Sequence, residues 1–313
     1  MSEPSQQRLG LTFGFAAYFM WGAFPLYFPL LAPAGTVEIL AQRMAWSLIV
    51  VLILLRFGHG LGGVRAILRD RRRFAMLTAA AVLISINWGV YIYAVNSGHV
   101  VESSLGYFIN PLVTILLGVL VLRERLRRLQ WFAVGIGATA VVVITVDYGR
   151  LPWIALVLAG SFGLYGFVKN RIGVPAVDSL AVETGVLFVP AVVALIVVQA
   201  QGNLAFGHSS VGNSFLLASA GVVTAVPLLL FAAAAGRLPL STIGLLQYMT
   251  PVLQFAVGVG IRHESVPLSE YVGFGLVWVA LIVLITDGIR TESRRRSAQD
   301  PAEVTVDLAF DDV

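Results

Sequence analysis

Residues 103–122 read SSLGYFINPLVTILLGVLVL, a stretch without a single charged side chain. An apolar run of about 20 residues is as long as a helix needs to be to cross the hydrocarbon core of a bilayer. The strands of a membrane barrel alternate between apolar and polar positions over about 10 residues, whereas this run is apolar almost throughout. Only a helix satisfies the backbone of such a run in lipid, so the stretch predicts a membrane-spanning helix.

Further apolar runs of comparable length flank this one on both sides. The complete set lies near residues 9–31, 37–56, 74–95, 103–122, 129–147, 151–168, 179–199, 212–235, 239–261 and 267–288. The composition agrees, because 58% of the 313 residues are hydrophobic and only 12% are charged, about half the charge of a soluble domain. A soluble enzyme, a nucleic-acid-binding protein and a disordered chain are excluded. The prediction is an all-α integral membrane protein with ten transmembrane helices.

The basic residues lie in alternate connectors between these runs. Most of the 21 lysines and arginines fall in the segments that face the cytoplasm if the N-terminus does, which are residue 8 and the segments 56–73, 123–128, 169–171, 237 and 290–296. Cytoplasmic loops of membrane proteins carry such an excess. We therefore predict that the N- and C-termini are both cytoplasmic. The basic loops then reflect orientation in the membrane, and no nucleic-acid partner is predicted.

The chain offers little material for metal or cofactor chemistry. It contains no cysteine, and its four histidines fall in or beside predicted connectors. No two of them have the spacing of a helical metal pair. No cofactor and no metal site are predicted.

The second half of the chain repeats the first at a shift of about 140 residues. Asn110-Pro111 matches Thr250-Pro251. Further pairs at that shift, or within two residues of it, are Glu38 and Asp178, Gly98 and Gly236, Ser103 and Ser241, Gly106 and Gly244, Gly118 and Gly258, Glu124 and Glu264, Trp131 and Tyr271, and Gly135 and Gly275. Each half holds five predicted helices, an odd number, so the two halves are inverted repeats. In secondary transporters such repeats place the substrate site near the midplane, and rocking of one half against the other gives alternating access.

This repeat divides the chain into four parts. Residues 1–8 form a cytoplasmic N-terminus, 9–148 the first five-helix repeat, 149–288 the second, and 289–313 a polar cytoplasmic tail that is predicted to be disordered. A signal peptide cleaved near Ala32-Pro33-Ala34 is an alternative for the first run. The repeat disfavours cleavage, because the first five-helix unit needs that helix.

Short motifs in the first half carry a resemblance to a known family. They are Trp21-Gly22, Phe24-Pro25-Leu26-Tyr27, Glu38-Ile39-Leu40-Ala41 with Arg43 and Trp46-Ser47, Asn87-Trp88-Gly89, and Gly106-Tyr107-Phe108-Ile109-Asn110-Pro111-Leu112. On these residues the chain resembles the RarD-like branch of the EamA-type drug/metabolite transporters from the first to the tenth helix. The resemblance implies a ten-helix permease of the inner or plasma membrane with two EamA-like five-helix repeats. It implies no particular substrate.

Two predicted helices carry matching polar stripes. The stripes consist of Tyr107, Asn110 and Thr114 in the fourth helix and, about 140 residues later, Gln247, Thr250 and Gln254 in the ninth. Each set falls on one helix face by its spacing. The stripes are either the walls of a substrate-binding cavity or hydrogen-bonding groups that hold neighbouring helices together. We favour the cavity, because such bonds need not recur on the same face in both halves.

Prolines and aromatic side chains add further candidates. Pro111 and Pro251 each remove a backbone donor within a predicted helix, so each is a gating kink or, equally, a structural bend. The candidates to line a mostly apolar pocket are Trp21, Asn87, Trp88 and Tyr91. For the two tryptophans, a place in the interfacial aromatic belt is the alternative.

Charged side chains inside apolar runs are rare and are functional candidates by default. Arg43 lies within the second predicted helix, where it would bind a carboxylate or phosphate of the substrate. Alternatively it pairs with Glu38 or caps backbone carbonyls. Glu183 occupies the equivalent position of the second half, and Glu38 matches Asp178. Glu183, and after it Glu38, are the candidates for proton coupling.

These patterns predict a secondary transporter of the cell membrane that moves a small organic metabolite or drug by alternating access, by export or exchange. The predicted partners are the small-molecule substrate and the lipid bilayer, with a homodimer left open. A membrane scaffold or regulator is the first alternative. An intramembrane enzyme is the second, but it would need paired acids, a nucleophile with its base, or metal ligands within the spans. No such arrangement is visible in the sequence, so no enzyme is predicted.

Overall fold

The computed structural model describes residues 3–58, 60–122, 128–235, 237–238 and 246–299. The regular structure of these residues is helical. The α-helices are α1 (Glu3–Gly22), α2 (Phe24–Tyr27), α3 (Thr36–Phe57), α4 (Gly62–Arg69), α5 (Arg71–Asn96), α6 (Val100–Leu122), α7 (Arg128–Tyr148), α8 (Trp153–Ile172), α9 (Ala176–Ala200), α10 (Val211–Ala235), α11 (Met249–Gly260) and α12 (Leu268–Gln299). A 3-10 turn, Phe28–Leu31, follows α2.

Within the described ranges, six helices are long and apolar enough to cross a membrane. They are α3, α5, α6, α7, α9 and α10. A seventh span forms if α1 is joined to α2 and the 3-10 turn, which meet at a bend of 43°. Three shorter apolar helices, Trp153–Lys169, Met249–Gly260 and Leu268–Leu284, coincide with the other predicted runs. An all-helical membrane fold is confirmed, while the number of ten spans and the side of the termini stay predictions.

Prolines and glycines explain where the helices depart from the predicted runs. The first run, predicted as one helix, breaks at Gly22-Ala23, just before Pro25 near the start of α2. Proline lacks the N–H that would continue the preceding helix. Pro111 lies inside α6, which continues through it. Pro251 is the third residue of α11, in the first turn, where the missing N–H costs little.

Parts of three sequence predictions lie outside the described residues. Glu124, the segment 239–245 of the ninth predicted run, and the tail from 300 to 313 belong to that group. The tail was predicted to be disordered from residue 289, but α12 continues to Gln299. Residues 290–299 include four arginines, one alanine, one glutamate and one glutamine, which extend an existing helix at little cost.

The chain forms two compact units. The smaller one, residues 118–152 and 267–313, contains α7 and α12, which pack against each other where Gly273 lies on Ile144. The larger one, residues 1–117 and 153–266, contains α1–α5, most of α6 and α8–α11. It holds all the candidate site residues.

Helix pairing in the larger unit follows the repeat. The pairs that pack together are α3 with α9, α3 with α10, α5 with α9, α1 with α10, and α5 with α8. Under the shift of about 140 residues, α1, α3 and α5 correspond to α8, α9 and α10. The packing of α1 on α10 in this correspondence is equivalent to the packing of α8 on α5. The packing of α3 on α10 is likewise equivalent to that of α9 on α5. Small residues allow these contacts: Gly221 of α10 lies so close to the Trp46 backbone that a Cβ would not fit, as is common between membrane helices.

Three carboxylates cap backbone N–H groups at one end of the larger unit, which we call the acidic end. Glu38 accepts from Phe206 N at 2.8 Å. Glu264 accepts from Val100 N at 2.8 Å and Val101 N at 2.9 Å, at the start of α6. Glu102 accepts from Ile154 N at 3.2 Å, at the start of α8. Helix N-termini leave such donors unsatisfied and favour negative charge, so Glu264 and Glu102 stabilise the starts of α6 and α8, while Glu38 holds the connector between α9 and α10.

The opposite end of the larger unit, which we call the basic end, carries arginines and a lysine. Exposed arginines flank it on α3, α4 and α5, and Lys169 and Arg171 lie in the last turn of α8. Asp70 caps α5 there, accepting from Arg72 N at 3.0 Å and Arg73 N at 3.1 Å. The Asp178 carboxylate, the repeat counterpart of Glu38, lies against Gly63.

Candidate functional site

Arg43 lies on α3 with only 3% of its surface exposed. Its Nε donates to Thr224 Oγ1 of α10 at 2.7 Å. Its guanidinium carbon lies 4.0 Å from the centre of a Trp88 ring, and 5.3 and 5.8 Å from the Phe24 and Phe28 rings. The cation is therefore held mainly by aromatic faces, which attract a guanidinium most strongly where water is excluded.

The guanidinium has unused hydrogen-bonding capacity. Its Nη1 is buried without a hydrogen-bond partner. Glu38, one predicted partner, instead accepts from the backbone N–H groups of Ala205 and Phe206. Among the described residues, no carboxylate forms a salt bridge with Arg43. A buried cation without a counter-charge costs several kcal/mol of desolvation, and such a cost is characteristic of a functional site.

Tyr107 and Asn87 form a network that joins α5, α6 and α8. Tyr107 Oη donates to Asn87 Oδ1 at 3.0 Å. Asn87 Nδ2 donates to the Leu158 carbonyl at 3.0 Å and to Ser161 Oγ at 3.1 Å. The amide of Asn87 is thus already engaged on both sides. Asn87 therefore holds the hydroxyl of Tyr107, whose ring contacts Tyr91 edge-on with ring centres 5.7 Å apart.

Tyr91 and Gln254 complete the surroundings of Arg43. The Tyr91 hydroxyl is buried without a partner at full hydrogen-bonding distance, and it lies beside the Gln254 amide and close to Arg43 and Tyr107. Gln254 Nε2 donates to the Trp21 carbonyl at 3.4 Å, which fixes the orientation of the amide. Its Oε1 then remains buried and unpartnered. We call Arg43, Trp88, Tyr91, Tyr107 and Gln254 the Arg43 cluster.

Three of the buried side-chain atoms without a partner in the described part of the chain belong to this cluster, whereas Asn110 Oδ1 faces Gly163 of α8. Among the described residues, such side-chain atoms are Arg43 Nη1, Ser47 Oγ, Tyr91 Oη, Asn110 Oδ1, Asn213 Oδ1 and Gln254 Oε1. Buried polar groups in native proteins are nearly always hydrogen-bonded. All of these except Asn213 belong to α3, α5, α6 and α11, which come from both halves of the chain.

The two polar stripes divide between the site and its surroundings. Tyr107 and Gln254 belong to the Arg43 cluster, and Asn110 is buried on α6. Thr250 Oγ1 donates to the Tyr18 carbonyl of α1 at 2.9 Å, which joins two helices. The side chain of Thr114 is exposed and bonds to the carbonyl of its own helix. Gln247 is half-buried and precedes α11.

The two candidate tryptophans occupy different places. Trp88 lies over the guanidinium of Arg43, whereas Trp21 packs against Tyr18 and Phe231 with ring centres at 5.3 and 5.8 Å. Trp21 contributes to the site through its backbone carbonyl, which Gln254 uses. It therefore borders the Arg43 cluster and is not a member of it.

Glu183, the repeat counterpart of Arg43, is fully engaged. It is 2% exposed. Its Oε1 accepts from Lys169 Nζ at 2.6 Å and from Ser179 Oγ at 2.7 Å, and its Oε2 accepts from Tyr165 Oη at 3.2 Å. Lys169 also contacts Ser179. This cluster lies towards the basic end, where Lys169 closes the last turn of α8.

Sequence reasoning missed several residues that shape the site. Thr224 is a lone hydroxyl on α10 and lies 181 positions from its partner. Phe24 and Phe28 belong to a Phe-Pro-Leu-Tyr-Phe motif, and their aromatic clustering is the one signal that could have indicated them. Tyr165 and Ser179 are polar residues near Glu183, but nothing in the sequence identifies them as its donors.

Comparison with known proteins gives this geometry a class. The EamA-like transporter family matches residues 8–146. The Protein RarD of Streptomyces exfoliatus is 52% identical over 98% of this chain and 97% of its own length. An uncharacterized transporter of Pseudomonas aeruginosa is 40% identical over 92% of this chain and 96% of its own. These similarities define a multi-pass membrane transporter of the cell membrane.

The chain belongs to the RarD-like branch of the EamA superfamily. A solved crystal structure with 17% sequence identity superposes with a TM-score of 0.57 and covers 88% of this chain and 96% of the other. At that identity the likeness concerns the fold alone.

Proposed function

We propose that the protein is a secondary transporter that binds a small organic solute at the Arg43 cluster and moves it across the membrane by alternating access. The observation that supports this proposal best is the set of buried, unpartnered polar atoms of the Arg43 cluster itself, on α3, α5 and α11. Unsatisfied groups in a low-dielectric interior are costly, and a bound solute would satisfy them. A scaffold would have no use for such groups.

The equivalence of helix packing between the two halves supports the alternating-access part of the proposal. If the halves are inverted five-helix repeats, as 9–148 and 149–288, rocking of one against the other opens the ends in turn. Ten spans with basic cytoplasmic loops would place the basic end in the cytoplasm and the acidic end outside. The transport direction then depends on the gradients.

Helices of the two halves contact each other at the acidic end, and we take this contact as the gate of the proposed mechanism. Gly258 of α11 lies against Val101 of α6, and Glu264, just after α11, accepts from the first backbone N–H groups of α6. Alternating access requires this contact to open. Of the two carboxylates considered for proton coupling, we retain Glu183, because its partners are the side chains of Lys169, Ser179 and Tyr165, whereas Glu38 is held by backbone N–H groups of residues 205–206.

Solute counterflow in proteoliposomes tests the proposal. Purified full-length protein is reconstituted into vesicles loaded with unlabelled phenylacetate, phenylalanine or uridine, and uptake of the labelled solute is followed. We expect protein-dependent uptake of at least one solute, its loss in Arg43→Gln, and its retention in Arg65→Gln, which removes an exposed arginine of α4. Uptake no greater than in protein-free vesicles for all three solutes would count against transport by this chain.

A further inference from the structure

We infer that the solute bound by the Arg43 cluster is a small organic monoanion, with a carboxylate on a planar apolar body that also carries a hydrogen-bond donor. This inference rests on the proposed function and names its substrate class. It follows from the charge, the free atoms and the apolar walls of the site.

The charge of the site is uncompensated. Arg43 is the only charged member of the Arg43 cluster. Two buried carboxylates could have served as its counter-charge, but both bind other groups. Glu38, on the same helix, accepts from backbone N–H groups, and Glu183, at the equivalent repeat position, pairs with Lys169. Since the desolvation cost of the guanidinium is already incurred in the folded protein, an incoming anion gains its attraction without that cost. A neutral or cationic solute gains nothing comparable.

The free atoms of the site match a carboxylate. Arg43 Nη1 is a buried donor without a partner, and the Tyr91 hydroxyl, which lies beside the Gln254 amide, is the nearest second donor. Guanidinium–carboxylate hydrogen bonds are about twice as strong as neutral ones. One cation balances one negative charge, so a phosphate dianion would bring a charge that no described residue of the cluster neutralises.

The walls of the site favour a planar apolar body with one donor. Trp88, Phe24 and Phe28 present their rings around the guanidinium. Gln254 Oε1 is the free acceptor, because its amide nitrogen is directed to the Trp21 carbonyl. An O–H or N–H group on the solute would satisfy that acceptor.

Three probes of nearly constant shape separate charge from size. They are 4-hydroxyphenylacetate, its neutral amide 4-hydroxyphenylacetamide, and the cation tyramine. Binding is measured by thermal unfolding of the detergent-purified full-length protein over a concentration series. We expect the anion to bind at least about tenfold more tightly than the amide, as loss of a charged hydrogen bond implies, and tyramine to bind most weakly.

Variants locate the effect. Arg43→Gln should lose the preference for the anion, Arg43→Lys should retain part of it, and Arg65→Gln should leave it unchanged. If Arg43→Gln does not fold, the order of the three probes on the unmodified protein still decides. Phenyl phosphate serves as an additional, dianionic probe. Equal binding of the first three probes, no binding of 4-hydroxyphenylacetate, or tighter binding of phenyl phosphate would overturn the inference of a monoanionic solute. Binding is measured here without transport, and transport is measured separately by counterflow. Failure of this inference is therefore distinguishable from failure of the proposed transport function.

Discussion

Arg43 and Glu183 occupy equivalent positions of the repeat, on α3 and α9, two helices that pack against each other. Their surroundings differ in kind. Among the described residues, Arg43 makes one side-chain hydrogen bond, to Thr224, and its Nη1 is unpartnered among aromatic rings. Glu183 accepts from Lys169, Ser179 and Tyr165. The same repeat position therefore holds a cation with an unpartnered donor in the first half and a fully hydrogen-bonded ion pair in the second.

The difference separates two reasons for burying a charge. A buried ion pair with complete hydrogen bonding is costly to break, but it offers nothing to a solute. A buried charge with a free donor is costly to keep, and its cost is recovered when a ligand binds. Burial alone, which the sequence indicates for both residues, does not distinguish these cases. The neighbouring donors and acceptors do.

The largest effect is expected for Arg43→Gln. The substitution removes the counter-charge for the solute, so counterflow should fall by about a hundredfold, which corresponds to the loss of about 2.7 kcal/mol. Thermal stability should be unchanged or higher, because an uncompensated buried charge is removed. Uptake and unfolding in detergent are measured on the same preparation. A variant that retained uptake would contradict the contrast between the two positions.

Glu183→Gln should mainly lower the thermal stability, in contrast to Arg43→Gln, which should mainly lower uptake. It leaves Lys169 without its counter-charge, and because the Lys169 side chain is 25% exposed, the expected cost is reduced to about 2 kcal/mol. The double variant with Lys169→Met should recover most of the thermal stability.

Proton coupling is tested on the same variants. If Glu183 carries the proton, pH-driven uptake stays lost in the double variant while exchange persists; unchanged pH dependence would reject that role.

The fold and the site differ in how far sequence could predict them. Long uncharged runs are sufficient to predict helices in a membrane, and α3, α5, α9 and α10 lie where expected. The bend before Pro25 was missed because the apolar composition continues through it. Arg43 was found because a charge in such a run is rare. Its partner Thr224 was not, since the contact joins positions 181 residues apart and depends on how α3 packs on α10.

The same limit applies to the carboxylates. Glu38 lies in the first turn of α3 and Glu183 about two turns into α9, and the sequence alone does not show what either carboxylate contacts. Only the packing shows that backbone N–H groups reach Glu38, whereas side chains of α8 reach Glu183. Which charges are satisfied is a property of the tertiary structure.

Glu264→Gln extends the comparison from Arg43 and Glu183 to a third charged residue, whose carboxylate is fully hydrogen-bonded to backbone N–H groups. The amide keeps one acceptor for the N-terminus of α6 but loses the negative charge and the second acceptor, at a cost of about 1 kcal/mol. The acidic end should then open more often. The chain has no cysteine, so a single cysteine at Ser103, buried on α6, reports opening through its rate of maleimide labelling. A rate equal to that of the parent with Glu264 would contradict a closing role for this contact.

Thr250→Val should have the smallest effect and tests the boundary of the site. The hydroxyl of Thr250 is used by the Tyr18 carbonyl, so its loss should cost about 0.6 kcal/mol, as is typical of interhelical bonds in membranes, and leave counterflow unchanged. Gln254→Leu, one turn further along the same face, is the matched variant, because it removes the free acceptor of the Arg43 cluster and should reduce uptake. Equal uptake in both variants would mean that Gln254 also only joins helices. A loss of uptake in Thr250→Val would instead extend the solute site along α11 towards α1.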